Sequence, residues 1–187
     1  LDSMIKHVVR RQLDLVSSVG CTAPGSAALS FAVRDDDINS VRRVLGHMGV
    51  NPDHQWVLLH PGATAASRRY PPHHWSAVIR ELAARTGLPM LLTGDATELP
   101  LIEHIRDTCG TAARSLAGKL SLGEMGAAIK LAAVVVSNNT GPAQLAAAIG
   151  TPLVNLYALT NPQHTPWQVE NRVLFHDVPC RFCQKSV

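Results

Sequence analysis

With 187 residues, 46% apolar and 17% charged, the chain can build one well-cored domain, or one domain plus a leading segment, which excludes wholesale disorder. Its net charge of +3, from 17 basic and 14 acidic residues scattered along the chain, is too mild for a general nucleic-acid binder. No run approaches the ~20 apolar residues of a membrane-spanning helix, and the charges spread between Leu1 and Gly20 do not fit a secretory leader.

The chain opens on Leu1 rather than a methionine, as a fragment or a processed product does. Met4, Ile5, Val8, Val9, Leu15, Val16 and Val19 approximate helical spacing and predict an amphipathic helix over residues 3–19. Gly20 to Gly25 breaks it. Leu29, Phe31 and Val33 alternate with smaller residues, as in a short strand or an extended connector. Asp35 to Asp37 opens a second helix carrying Ile38, Val41, Val44, Leu45 and Met48, closed by Asn51-Pro52-Asp53. These first fifty residues read as a connector more than as core.

From Trp56 the pattern becomes regular. Val57-Leu58-Leu59 predicts a strand; Trp75, Val78, Ile79 and Leu82 mark one face of a helix that Gly87 stops. Pro89 to Leu92 predicts the next strand, followed by a Gly94-Asp95 turn and a helix with Leu101, Ile102 and Ile105. A short strand is expected near Ala113 to Leu116. Ser121 and Glu124 have capping-box spacing and open a helix that runs to about Leu131. The apolar run Ala132 to Val136 is a buried strand, Pro142 to Ile149 an alanine-rich helix stopped by Gly150, and Leu153 to Tyr157 a last strand. Five strands separated by four helices indicate an α/β fold: a doubly wound, parallel, Rossmann-like sheet.

In such a sheet the loops after the strands meet the ligand. Ser137 to Gln144 joins a buried strand to a helix through the tight Thr140-Gly141 turn. It is either an anion site built from free N–H groups and a helix dipole, or an ordinary connection. The loop from His60 to Pro71 adds two hydroxyls, Thr64 and Ser67, and the pair Arg68-Arg69, suited to phosphate oxygens or simply solvated. In Thr93 to Glu98 a carboxylate is placed to accept both hydroxyls of a ribose, or to complement a helix N-terminus. Leu116 to Leu120 offers a small turn with apolar surface for a base, and Ala158 to Trp167 is long enough to line a cleft. No nucleophile elbow, P-loop or dinucleotide fingerprint occurs, and no general base stands out. These loops offer binding chemistry. Cys21 and Cys109 stand alone. Cys180 and Cys183 form a C-x-x-C that is half a metal site, a redox pair or a tail feature; reduced thiols without metal are the favoured reading.

Taken in order, these segments resemble a known family. Pro61-Gly62 with Arg68-Arg69-Tyr70-Pro71-Pro72 and Trp75, then Leu116-Ala117-Gly118 with Ser121-Leu122, then Asn139-Thr140-Gly141-Pro142 with Gln144, Ala146-Ala147-Ala148 and Gly150-Thr151-Pro152, are similar to the signatures of glycosyltransferase family 9, the heptosyltransferases. Thr160-Asn161-Pro162 and Pro179-Cys180 with Cys183 fit its tail. The resemblance covers about Trp56 to Cys183. It implies a GT-B enzyme of two Rossmann-like domains, of which this chain is the C-terminal, donor-binding half. Residues 1–52 would be the connector and the end of the N-terminal domain, and residues 53–187 the nucleotide-sugar domain.

The resemblance further implies transfer of heptose from ADP-heptose to a lipopolysaccharide-type acceptor, without metal or other cofactor. The setting would be the cytoplasm, at most peripheral to the inner membrane. Acceptor and general base would belong to the N-terminal domain, so this half alone would be inactive. By position, Thr64 and Arg68 would meet the diphosphate, Glu98 the ribose and Leu120 the adenine. Asn139, Thr140, Gly141 and Gln144 would face the diphosphate and sugar. Three residues depart from the family pattern: Asn139 stands where Asp is usual, Gln144 where His is usual, and Arg68 where Lys is usual. The two amides keep hydrogen-bonding capacity but remove titratable groups. They leave two alternatives open: a non-catalytic nucleotide-sugar-binding module, or a nucleotide-sugar epimerase of the same fold.

Overall fold

Strands and helices alternate along the computed structural model, which describes residues 6–22, 25–158 and 162–177. Two helices lead, α1 (Val8–Ser18) and α2 (Asp35–His47). Then come β1 (Val57–His60), α3 (Pro72–Thr86), β2 (Met90–Leu92), α4 (Leu99–Cys109), β3 (Ala113–Ser115), α5 (Leu122–Leu131), β4 (Val134–Asn138), α6 (Gly141–Ile149), β5 (Leu153–Tyr157) and β6 (Asn171–Phe175). The six strands lie in the order β3-β2-β1-β4-β5-β6, every pair parallel. The doubly wound sheet expected from the sequence is present. The expected count of five strands is corrected to six by β6, an edge strand that follows β5 through a connection whose described part holds only a short 3-10 turn, Pro162–His164.

Alternation along each strand sends neighbouring side chains to opposite faces. Leu58, Leu91, Val135 and Leu153 face one cluster with α2, α5 and α6. Val57, Leu59, Met90, Leu92 and Val136 face a second with α3 and α4. The alanines of α6 allow it to lie close to the sheet: Ala143 and Ala146 are fully buried.

The helix ends follow the expected local chemistry. Ser121 and Glu124 form the capping box in both directions, and Gly87 and Gly150 close their helices in the left-handed region, at φ 67° and 87°. The leading segment differs from its reading as a connector. Val41, Leu45 and Val50 are buried in the first cluster, and α2 is fastened to α5 by the Ser40 hydroxyl donating to Glu124 at 2.6 Å. Leu29 to Val33 forms neither helix nor strand. Phe31 packs so tightly on Gly126 that a Cβ there would approach it to 2.5 Å.

Among the described residues, the buried side chains with unpartnered polar atoms are Trp56 and Trp75, through their indole N–H groups, and Asn155. Asn155, fully buried on β5, finds no hydrogen-bond partner for either amide atom. An unpaired buried amide costs stability, and a strand favours a β-branched residue. Asn155→Val is therefore expected to stabilise the chain by about 1 kcal/mol. Urea denaturation of the two proteins reads this directly; a lower midpoint for the variant would show that Asn155 has a partner.

Candidate functional site

Strand order reverses between β1 and β4, and the loops that follow these two strands splay apart there. Such a switch point, at the carboxyl ends of the strands, opens a crevice. Here it holds a cavity of about 280 Å³, lined in part by Thr64, Glu98, Leu120, Met125, Thr140 and Gly141.

Asn138, the buried last residue of β4, organises the loop after β1. Its Nδ2 donates to the carbonyls of Pro61 at 2.7 Å and Gly62 at 3.3 Å, and its Oδ1 accepts the Tyr70 amide at 3.2 Å. One amide thus clamps both ends of a loop some seventy residues away in sequence. Arg69 braces the same loop from within, Nε donating to the Ala63 carbonyl at 2.7 Å. That leaves Thr64 exposed on the cavity wall and Arg68 exposed beyond it.

The loop after β2 divides its two carboxylates. Asp95 is spent locally, Oδ1 accepting from the Thr97 amide and hydroxyl and the Glu98 amide at 2.7, 2.6 and 3.1 Å. Its hydrogen bond from the Thr97 hydroxyl is the main reason its pKa is lowered. Glu98 folds back over the two glycines, Gly62 and Gly94. A Cβ on Gly62 would overlap its carboxylate, and one on Gly94 would lie 3.1 Å from Oε2. Oε2 accepts the Asp95 amide at 3.0 Å. Burial raises the Glu98 pKa, opposed by that N–H. Below it His60, at the end of β1, touches the Thr93 hydroxyl with Nδ1 at 3.2 Å and approaches Glu98 Oε2 with Nε2 at 3.8 Å. Burial lowers the His60 pKa to about 4, so the ring is neutral.

The loop after β3 is tied to this one by the Gly118 amide donating to Gly94 O at 2.9 Å. It supplies the apolar wall of Leu116 and Leu120, continued by Leu122 and Met125 of α5. Across the cavity, α6 begins with no side-chain cap on its first turn. Pro142 has no N–H and the Ala143 amide donates to Thr140 O at 3.2 Å, so what this end offers a ligand is the Gly141 N–H and the positive dipole end. The cavity has an apolar slot at one end, a carboxylate in the middle and an uncapped helix at the other.

Five of the eight sequence-predicted residues line this cavity: Thr64, Glu98, Leu120, Thr140 and Gly141. Arg68, Asn139 and Gln144 do not. Arg68 borders a second, apolar groove of about 620 Å³, between Trp75 of α3 and Val136 and Leu156 of the sheet. Asn139 is buried just after β4, its backbone N–H donating to Leu156 O at 3.2 Å. Gln144 turns to the loop after β5, Nε2 donating to His164 O at 3.2 Å. Sequence reasoning missed Asn138, Gly62 and His60 as organisers. The only local signal was a polar pair, Ser137-Asn138, ending an otherwise apolar strand. Cys180 and Cys183 lie outside the described residues.

Comparison with known proteins agrees with the architecture. The profile of glycosyltransferase family 9 (heptosyltransferase) matches residues 2–187. Lipopolysaccharide heptosyltransferase 3 of Escherichia coli is 34% identical over 131 residues, 68% of this chain and 37% of the relative. A family 9 glycosyltransferase structure from Veillonella parvula superposes with a TM-score of 0.84 at 20% identity, covering 91% of this chain and 49% of its own. The E. coli heptosyltransferase WaaC with ADP superposes with a TM-score of 0.69 at 22% identity, covering 95% of this chain and 52% of its own. The chain thus spans half or less of the curated relatives it matches, and its fold is that of one Rossmann-like half of a GT-B enzyme. On the match across nearly its whole length, the chain belongs to glycosyltransferase family 9, the heptosyltransferase family.

Proposed function

We propose that this chain is the donor-binding part of a heptosyltransferase and holds a nucleoside-diphosphate sugar, ADP-heptose or a relative, in the switch-point cavity. The complete enzyme would transfer the sugar to a lipopolysaccharide-type acceptor, with acceptor site and general base supplied by residues outside this chain. The observation that carries the reading is the order of chemistry along one cavity: apolar slot, buried-edge carboxylate, uncapped helix N-terminus. Leu120 suits a base, Glu98 a ribose diol, and Thr64, Thr140 and Gly141 the diphosphate, with Arg68 near by. Asn139 and Gln144, which do not line the cavity, are left out of this assignment. Arginine and a helix N-terminus stabilise a leaving diphosphate without a metal. The ADP in the WaaC structure, whose fold this chain shares, supports the same choice of nucleotide.

Calorimetric titration with ADP, ADP-sugars and UDP-sugars tests the reading: ADP-containing ligands are expected to bind, and no affinity for any nucleotide overturns it. Hydrogen bonds to a charged carboxylate are worth about 1.5–3 kcal/mol, so Glu98→Ala is expected to weaken ADP roughly 10–100-fold. The two proteins should bind 2′,3′-dideoxy-ADP, which lacks both hydroxyls, about equally. A Glu98→Ala penalty that persists with the dideoxy nucleotide would remove Glu98 from ribose recognition.

A further inference from the structure

At the carboxyl end of β5, hydrogen bonds alone fix the protonation of a histidine that the cavity does not use. Arg11 Nη1 of α1 donates to Gln163 Oε1 at 2.9 Å. A guanidinium has only donors, so the amide oxygen must face α1 and the amide nitrogen must face the other way. That nitrogen lies 3.0 Å from His164 Nε2. An amide N–H can only donate, so His164 Nε2 is the acceptor and the ring proton sits on Nδ1. No partner is found for Nδ1 among the described residues.

The backbone of His164 is held as firmly. Its carbonyl accepts from the Tyr157 hydroxyl at 2.5 Å and from Gln144 Nε2 at 3.2 Å. Gln144 lies on the first turn of α6, the helix whose uncapped end faces the cavity. Burial lowers the His164 pKa, and the charges of Arg68, His7 and Arg11 add to this. His7, the other histidine of this junction, is held at both ring nitrogens: Nε2 lies 2.8 Å from Thr165 O and Nδ1 accepts the Val9 amide at 3.2 Å.

We propose that His164 is a further ligand-contacting residue of the donor site, presenting the Nδ1–H of a neutral imidazole to the distal phosphate of a nucleoside diphosphate beside Arg68 and the start of α6. Arg11 and Gln163 are positioning residues that set its tautomer from α1. The proposal rests on the donor-site reading above. A neutral donor suits this place because it adds a hydrogen bond next to Arg68 without a second charge.

Calorimetry with ADP and AMP, which differ by that phosphate, tests it. His164→Ala is expected to weaken ADP roughly tenfold and leave AMP within about twofold. His164→Asn, which keeps an N–H near the Nδ1 position, is expected to restore most of the ADP affinity. Nitrogen NMR of the imidazole is expected to show the Nδ1-protonated tautomer in the wild-type chain and a mixture in Gln163→Leu. ADP binding indifferent to His164→Ala, or an Nε2-protonated ring, overturns this proposal alone. A wild-type chain that binds no nucleotide overturns the donor reading and this proposal with it.

Discussion

Leu58→Ala and Leu59→Ala are each expected to cost about 2–5 kcal/mol of stability, whereas Leu174→Ala is expected to cost no more than about 0.5 kcal/mol. All three leucines sit on strands of one sheet. Leu58 and Leu59 are 0% exposed and Leu174 is 52% exposed. β1 lies mid-sheet with helices on both faces, so its successive side chains enter different clusters. Leu58 pairs in register with Leu91 and Val135 beneath α2, α5 and α6; Leu59 pairs with Leu92 and Val136 beneath α3 and α4. Truncating either leaves a cavity whose lining cannot collapse, because rigid strands bound it on two sides. β6 is an edge strand with no covering helix among the described residues. Chemical denaturation of the three variants decides the matter: a Leu174→Ala loss as large as the other two would mean that β6 is buried after all.

The sequence made the layered fold legible because each layer carries a local signature. Apolar runs such as Val134 to Val136 mark strands buried on both faces, and Trp75, Val78, Ile79 and Leu82 mark a helix against them. Caps at Ser121, Gly87 and Gly150 fixed the boundaries. β6 escaped because Asn171-Arg172-Val173-Leu174-Phe175 opens on polar residues and follows an irregular connection, so the strand–helix rhythm had already ended. The role of α2 escaped for another reason. Its amphipathic spacing was visible, but whether the apolar face meets solvent or a core depends on α5, some eighty residues later.

The candidate site divides in the same way. Thr64, Glu98, Leu120, Thr140 and Gly141 were legible because strand ends place their loops at one edge of any doubly wound sheet. What was not legible is which of the polar groups are already committed. Asn138 to Pro61, Gln144 to His164 and Glu98 over Gly62 are contacts between distant loops, and no local periodicity encodes them. Asp95 and Glu98 stand three residues apart in one loop, and local spacing alone does not choose between them; the family resemblance pointed to Glu98. Both line the cavity, and the structure separates them by commitment and burial: Asp95 Oδ1 is taken up by its own turn, whereas Glu98 is the more buried of the two and folds over Gly62.

Lowering the pH from about 6.5 to about 4 is expected to remove about 3 kcal/mol of stability through His60 alone. The ring is buried under the cavity floor between Thr93 and Glu98, and desolvation lowers its pKa from 6.5 to about 4, against a smaller opposite pull from the charge of Asp95. Between these two values the unfolded chain binds the proton and the folded chain does not. Stability therefore falls as pH drops below 6.5, and this contribution is exhausted near pH 4. Glu98 acts with the opposite sign: its pKa is raised by burial, so acidification through the range just above 4.5 favours the folded state. The His60 effect is isolated by comparison with His60→Gln, which keeps a polar side chain and leaves Glu98 to titrate. Urea denaturation of both proteins from pH 7.5 to 4.5 should give a steeper loss for the wild type, with the gap between the two curves closing as the pH falls. Parallel curves would mean that His60 takes up its proton without leaving the fold. The donor cavity would then rest on a charged histidine beside Glu98, and the carboxylate offered to a ribose would be ionised throughout.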